Sequence, residues 1–331
     1  MRTALVTGAA GFIGFHLSRL LLDQGWRVVG VDSHNAYYDP ALKAAREAQL
    51  KGAYRGIRGA VETPGLLYDL MAEERPEAVI HLAAQAGVRH SIDNPRAYVQ
   101  ANLLGTFELL EAARAHPPAH LLLASTSSVY GANAAMPYRE TDKADTQMSF
   151  YAATKKSTEA MAHSYAHLFG LPVTMFRFFT VYGPWGRPDM APALFTDAVL
   201  SGRPIRVFNH GDMRRDFTFV ADLAGAVARL IDVPPGRHPA GDFDSLSPVA
   251  PFRTVNIGNG APVELSDFIA AIEAATGRTA IRELLPMQPG DVPATWADTT
   301  LLRALIGDAP HTPVAEGVAA HVDWFRHYHG R

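Results

Sequence analysis

In the run Ser149-Phe150-Tyr151-Ala152-Ala153-Thr154-Lys155, a phenol and an ammonium stand four residues apart. On a helix that spacing puts both on one face. A free tyrosine titrates at about 10 and is a poor base at neutrality, but a neighbouring cation favours the phenolate and lowers that value. Tyr151 with Lys155 therefore reads as a proton acceptor for a substrate hydroxyl. A second set of reactive groups, Ser125-Thr126-Ser127-Ser128-Val129-Tyr130-Gly131, follows an apolar stretch ending at Ala124. One of its hydroxyls can bond a substrate oxygen and relay the proton to Tyr151, although for any single serine a polar turn capping the next element reads the same way. Tyrosine and lysine four apart also occur on many amphipathic helices. Both sets acquire meaning only from the elements that hold them.

Those elements begin with a dinucleotide site. Thr3 to Thr7 reads as a short buried strand, followed by the turn Gly8-Ala9-Ala10-Gly11-Phe12-Ile13-Gly14 and a helical pattern from Phe15 to Gln24 that stops at Gly25. A second strand, Arg27 to Val31, ends at Asp32. Glycines permit the tight turn and the close approach of backbone to a pyrophosphate, whose charge then lies at a helix N-terminus. An acid closing the second strand can accept from the adenosine ribose hydroxyls and repels a 2′-phosphate, which favours NAD over NADP. Strand, turn, helix, strand and acid fall in order, which a ligand-free glycine turn would not require.

Further strands are predicted at Ala78 to Leu82, His120 to Ala124 and Pro172 to Phe178, separated by helical patterns at Pro64 to Glu74, Arg96 to His116 and Tyr151 to Phe169. This alternation predicts an α/β fold with a parallel sheet covered on both faces. In such a sheet the strand C-termini bind ligands, which is where Ser125 to Gly131 stands. Beyond Tyr182-Gly183-Pro184-Trp185 the elements shorten and proline increases; Gly236 to Pro251 reads as a loop, and Glu264 to Thr276 and Pro313 to His329 as helices. The 331 residues suggest about two domains, and a net charge of −3 without a basic run argues against nucleic acid or anionic membrane as the main partner. There is no cysteine, so disulfides and thiolate chemistry are excluded, and none of the 14 histidines shows metal-ligand spacing. With a strand starting at residue 3 and no apolar run long enough for a bilayer, a cytoplasmic protein is expected.

The chain resembles the extended short-chain dehydrogenase/reductase family, and within it the nucleotide-sugar epimerases and dehydratases. The resemblance rests on Thr7 to Gly14, Asp32, His81-Leu82-Ala83-Ala84, Asn102, Ser125 to Gly131, Tyr151, Lys155, Arg215 to Val220 and Pro289-Gly290-Asp291. Three longer stretches, Gln85 to Arg89, Thr180 to Met190 and Pro286 to Pro293, look like UDP-glucuronate 4-epimerases. The resemblance implies a Rossmann-type doubly wound sheet with a smaller mixed α/β substrate-binding region. We expect the NAD-binding domain over 1–180, with returning segments near 219–232 and 254–258, and the substrate region mainly over 181–331. Where relatives often carry Asp-Val or Asp-Ile near the adenine, this chain has Ala60-Val61. The implied cofactor contacts are Gly8, Gly11, Phe12, Ile13, Gly14, Asp32, Val61, Leu82, Ala83, Ala84, Asn102, Tyr151 and Lys155.

The implied reaction is transient oxidation of carbon 4 of UDP-glucuronic acid by a tightly held NAD. The 4-keto sugar turns over and is reduced from its other face to UDP-galacturonic acid, with no metal. Tyr151 would take the proton, Lys155 would keep it ionised and hold the nicotinamide ribose, and Thr126 would relay, with Ser127 and Ser128 as donors to the sugar. Dehydratases of the family carry Asp-Glu where Ser127-Ser128 stands, and decarboxylases a glutamate at Ser128, so elimination is disfavoured. A 4-keto uronic acid is a β-keto acid that loses carbon dioxide unless its carboxylate is held out of line. Arg187 is the candidate clamp, aided by Thr180 and Ser127, since guanidinium grips a carboxylate at two points. Arg215 and Arg89 are expected near the diphosphate, Asp291 near the uridine ribose, and Gln288 where galactose epimerases tend to have arginine. Epimerisation of a neutral UDP-hexose, decarboxylation and a silent nucleotide-binding regulator remain open. In relatives the helices matching Tyr98 to Ala115 and Thr158 to Phe169 pair across a twofold axis, so a homodimer is expected.

Overall fold

Apolar runs bounded by glycine, proline and charge form β1 (Thr3–Thr7), β2 (Arg27–Asp32), β4 (Ala78–His81), β5 (His120–Ala124) and β6 (Val173–Phe178), and the mixed, half-exposed run Tyr54–Arg58 forms the edge strand β3. They are seen in a computed structural model that describes residues 1–288, 292–308 and 310–331. With a late strand, Phe252–Ile257, they make one parallel sheet in the order Phe252–Ile257, β6, β5, β4, β1, β2, β3. Side chains alternate between its faces. Ala4 and Val6 join a core with Leu17, Leu21 and Val227, whereas Leu5 joins another with Leu67, Leu109 and Leu121. Both faces are covered, as the near-continuous apolar strands require. The strand order reverses between β1 and β4, which opens a crevice at their C-terminal ends.

The helices differ in detail from the sequence pattern. α1 (Phe12–Asp23) starts inside the glycine turn, before the Phe15 pattern, because Gly11 in extended conformation serves as its N-cap and accepts from the Phe15 amide at 2.9 Å. α2 (Pro40–Glu47) carries no apolar periodicity, since its buried residues are Leu42, Lys43 and Arg46. α3 (Leu66–Glu74) lies where expected. The run Arg96 to His116 is not one regular helix. It passes through a wide π turn, Val99–Leu104, between Pro95–Tyr98 and Gly105–Ala115. The wide turn re-phases the chain. It lets Asn102 reach inward while Gly105 seats against Val61, whose Cγ2 would lie 2.6 Å from an added Cβ. The Phe150–Phe169 helix is capped by Ser149, whose Oγ accepts from the Ala152 amide at 3.1 Å.

The second half has its own core around Tyr182, Phe195, Ile205, Phe217, Phe268 and Val318. The Val220–Leu230 helix instead packs on α1, beside the sheet. Between the two regions lies Glu140, 7 % exposed, whose Oε1 accepts from the Asn256 amide at 2.8 Å. Burial pushes its carboxyl up to about 7. A carboxyl whose folded pKa lies above its unfolded one binds more protons when folded, so its stabilising contribution is complete below about 4.5 and lost as pH rises through 7. The expected loss is of the order of 2–3 kcal/mol between pH 5 and 8. Glu140→Gln should flatten that slope in denaturant titrations at the two pH values, and a slope unchanged by the substitution would contradict it.

Candidate active site

The turn after β1 is built for close approach. Gly8 has φ +72°, and a Cβ there would lie 2.9 Å from the Ala83 amide nitrogen. A Cβ on Gly14 would stand 2.0 Å from the Gly8 carbonyl oxygen. The Gly11 N-cap offers no side chain, so the first amides of α1 have no side-chain capping partner there. A glycine-lined cradle at a helix N-terminus suits a pyrophosphate. Gly8, Gly11, Phe12, Ile13, Gly14, Asp32, Val61, Leu82, Ala83 and Ala84 all line one cleft of about 430 Å³. The residues present therefore fit a dinucleotide.

Asp32 is held from several sides. Its Oδ2 accepts from the Ala10 amide at 3.2 Å, and its Oδ1 from the His34 amide and the Lys43 ammonium, both at 2.9 Å. The pairing with Lys43 and the two amides fixes the orientation in which the Asp32 carboxylate accepts. Asn102 does not line the cleft. It is 1 % exposed, accepts from the Gln85 amide at 2.8 Å, and donates to the Gln85 carbonyl at 3.1 Å and to Thr154 Oγ1 at 3.0 Å. It thereby ties the segment after β4 to the helix that bears Tyr151.

Thr126, Ser127, Ser128, Tyr151, Lys155, Thr180 and Arg187 meet at the other end of the same cleft. Thr126 is the N-cap of the turn Ser127–Tyr130, accepting from the Ser128 amide and donating to Ser128 Oγ, both at 3.2 Å. The capping and relay readings of this cluster are thus compatible at one residue. Lys155 lies one turn beyond Tyr151, yet its ammonium donates to the Ala124 carbonyl at 2.8 Å. Burial brings it down to about 8. Burial pushes the Tyr151 phenol up, while the Thr126 hydroxyl and the Arg187 guanidinium pull it down. Arg187 is thus a cation that acts on the phenol, and the Lys155 ammonium is anchored on the Ala124 carbonyl at the end of β5.

Arg215 lies apart, in a smaller hollow of about 190 Å³ that shares Ser127, Ser128 and Thr180 with the main cleft. It donates to the Arg214 carbonyl at 2.9 Å and the Pro293 carbonyl at 3.1 Å. The Arg89 guanidinium sits 4.9 Å from the centre of the Phe208 ring. Gln288 has a buried Oε1 with no hydrogen bond among the described residues, and Asp291 lies outside the described residues.

Sequence reasoning missed Arg46 on α2. It is fully buried and donates to the carbonyls of Ala10 at 3.1 Å, Trp185 at 2.7 Å and Gly186 at 3.3 Å, and to the Tyr38 hydroxyl at 2.8 Å. One guanidinium thus joins the phosphate turn to the segment that carries Arg187. The motif Leu42-Lys43-Ala44-Ala45-Arg46 offered a signal, two cations on a helix directly after the Asp32 strand. Arg46→Met strands three buried carbonyls and is expected to cost about 3 kcal/mol in denaturant unfolding. A loss below about 1 kcal/mol would mean that the carbonyls find other partners.

Comparison with known proteins agrees with this geometry. Residues 4–243 match the model of the NAD dependent epimerase/dehydratase family. A probable UDP-glucuronate 4-epimerase of Rhizobium meliloti is 53 % identical over 97 % of this chain and 96 % of its own length. UDP-glucuronate 4-epimerase 4 of Arabidopsis thaliana is 41 % identical over 99 % of this chain and 76 % of its own. A crystal structure of UDP-glucuronic acid 4-epimerase from Bacillus cereus, in complex with UDP-glucuronic acid and NAD, superposes with a TM-score of 0.87 at 31 % identity, covering 98 % of this chain and 99 % of that one. The family match spans the glycine cradle, the hydroxyl triplet and the Tyr151 helix alike: the chain is a member of the NAD-dependent epimerase/dehydratase family.

Proposed function

We propose that the protein interconverts UDP-glucuronic acid and UDP-galacturonic acid by epimerisation at carbon 4. The observation that carries this reading is the presence of Arg187 in the cleft of Tyr151, facing a hydroxyl triplet that contains no carboxylate. Bound NAD supplies a two-electron acceptor for carbon 4 and afterwards the donor. Tyr151 takes the proton of the carbon 4 hydroxyl, with Thr126 bridging to it, and returns the proton to the opposite epimer. Lys155 keeps the wall of the cleft in register through Ala124, and its charge favours the anionic states of the site. Ser127, Ser128 and Thr180 bond the sugar, and Arg187 holds its carboxylate. Arg215, Gln288 and Asp291 of the region 181–331, with Arg89 from the segment after β4, serve the uridine diphosphate end. The chain then divides into an NAD-binding domain, completed by the returning segments near 219–232 and 254–258, and a substrate region.

Exposed Val99, Leu104, Phe107, Leu168 and Phe169 lie on the Val99–Ala115 and Phe150–Phe169 segments. Exposed apolar side chains on two helices that pack together support a homodimer across them. Among the described residues no helix is long and apolar enough to cross a membrane, which is compatible with a cytoplasmic location.

Incubating the protein with UDP-glucuronic acid and no added NAD, followed by NMR, tests the reading. UDP-galacturonic acid is the expected product. A decarboxylated pentose alone would make the protein a decarboxylase, and turnover of UDP-glucose alone would make it a neutral-sugar epimerase. The latter has one observation in its favour: Arg187 is paired with an acid.

A further inference from the structure

Arg187 sits in the cleft wall, but it is not alone there. A guanidinium has two edges that can grip a carboxylate at two points, the side edge formed by Nε and Nη2 and the end edge formed by both Nη atoms. Asp189 occupies the side edge: Nε donates to its Oδ1 at 3.0 Å and Nη2 to its Oδ2 at 2.6 Å. The Tyr37 hydroxyl donates to the same Oδ2 at 3.0 Å. The Tyr37 ring packs on His90 at 4.8 Å, and the guanidinium carbon lies 5.7 Å from the centre of the Tyr37 ring. Arg187 and Tyr37 line the cleft with Tyr151. The bonds to Asp189 use Nε and Nη2 and not Nη1, so the end edge is left for another group.

A lone arginine side chain would rotate about several bonds and grip a carboxylate in many orientations. An arginine whose plane is fixed along one edge presents the other edge in one orientation. That distinction matters for a sugar that passes through a ketone at carbon 4. In the unwanted branch the bond from carbon 5 to the carboxylate carbon breaks, and its electron pair enters the ketone π system as an enolate. Carbon dioxide leaves, and carbon 5 then takes a proton. The bond breaks readily only when it lies parallel to that π system, so the orientation of the carboxylate decides the branch.

We propose that Asp189, held by Tyr37, is a specificity-determining positioning residue: it fixes the plane of Arg187 so that the end edge holds the substrate carboxylate out of alignment with the ketone. This rests on the functional reading above, since it needs an acidic sugar. It has a cost, because Asp189 places an anion near an anionic substrate. The residue therefore weakens binding of the acid while protecting it. The two effects carry opposite signs and separate this role from plain structural support.

The test compares the wild-type protein, Asp189→Asn and Tyr37→Phe with UDP-glucuronic acid, reading products by NMR and KM from initial rates. The Asp189 side chain is 32 % exposed, so the isosteric amide leaves the fold in place. Asp189→Asn is expected to raise the ratio of decarboxylated to epimerised product at least tenfold and to lower KM for the acidic sugar several-fold. KM for UDP-glucose, measured alongside, should change less than twofold. Tyr37→Phe loosens the hold without altering charge, and should move the product ratio in the same direction by a smaller factor with KM unchanged. A wild-type product ratio in both variants overturns the proposal while leaving the epimerase reading intact. If the wild-type protein forms no UDP-galacturonic acid, the functional reading itself fails, and this inference with it.

Discussion

Replacing Tyr151 with phenylalanine is expected to lower kcat by roughly 10³-fold while leaving the folded state as it is. The expected size follows from the loss of a positioned acid–base group, worth about 10² to 10⁴ in rate. The ring stays, and with it the edge-on contact to Tyr98 at 6.0 Å. The phenol's partner is the Thr126 hydroxyl, which also has Ser128 Oγ as a partner, so removal of the phenol leaves no buried group unpaired. Thermal unfolding of the variant should therefore match the wild type, and cofactor should be retained on purification. A variant keeping more than a tenth of the activity would show that Thr126 or another group moves the proton. Because Arg187 pulls the phenol down and burial pushes it up, Arg187→Met should shift the acidic, rising limb of the pH–rate profile, where the phenol must lose its proton, to higher pH.

The largest effect on stability is expected at Glu159. Its Oε1 accepts from Ser125 Oγ at 2.7 Å and Arg177 Nε at 2.9 Å, and its Oε2 accepts from Arg177 Nη2 at 2.9 Å and Lys156 at 3.0 Å. Both side chains of the Glu159–Arg177 pair are 3 % exposed. Removing the acid alone leaves a buried guanidinium uncompensated, which costs about 3–5 kcal/mol. That is a large share of the about 5–15 kcal/mol by which domains are stable. Glu159→Ala should show the loss in urea titration, and Glu159→Leu combined with Arg177→Met should recover much of it, since a well-packed apolar pair avoids both desolvation costs. A single variant that loses less than about 1 kcal/mol would place the counter-charge elsewhere. Ser125 precedes Thr126, so the same variant also loosens the hydroxyl cluster.

The sites that were readable from sequence are the contiguous ones. β1, the glycine turn, β2 and Asp32 are local in the chain, and each residue type there has one strong backbone reason. Tyr151 with Lys155 and the Ser125–Gly131 cluster were equally plain, because strand ends and helix faces place them together. The direction of Lys155 was not, since a four-residue spacing sets a face but not which acceptor the ammonium finds. α2 escaped because its inward face carries Lys43 and Arg46, and cations are rarely buried without partners. Their partners, Asp32 and the carbonyls near Trp185, come from distant segments. Asp189 escaped for the opposite reason: an acid two residues from an arginine in a loop looks like an ordinary surface pair. Glu159 and Arg177 face each other across helix and strand, a relation that no periodicity encodes.

The late strand Phe252–Ile257 has a consequence for how the molecule is made. It pairs along the whole length of β6, from Val173 with Phe252 to Phe178 with Ile257. During synthesis β6 leaves the ribosome long before its neighbour and waits as an apolar edge with unpaired amides and carbonyls, the feature that invites pairing with other chains. The nucleotide-binding sheet therefore keeps an open edge at β6 until this strand is made, although its other strands are translated first. Nascent chains stopped before Phe252 are expected to depend on chaperones, and release of the segment past Ile257 is the moment at which the sheet gains its protecting border.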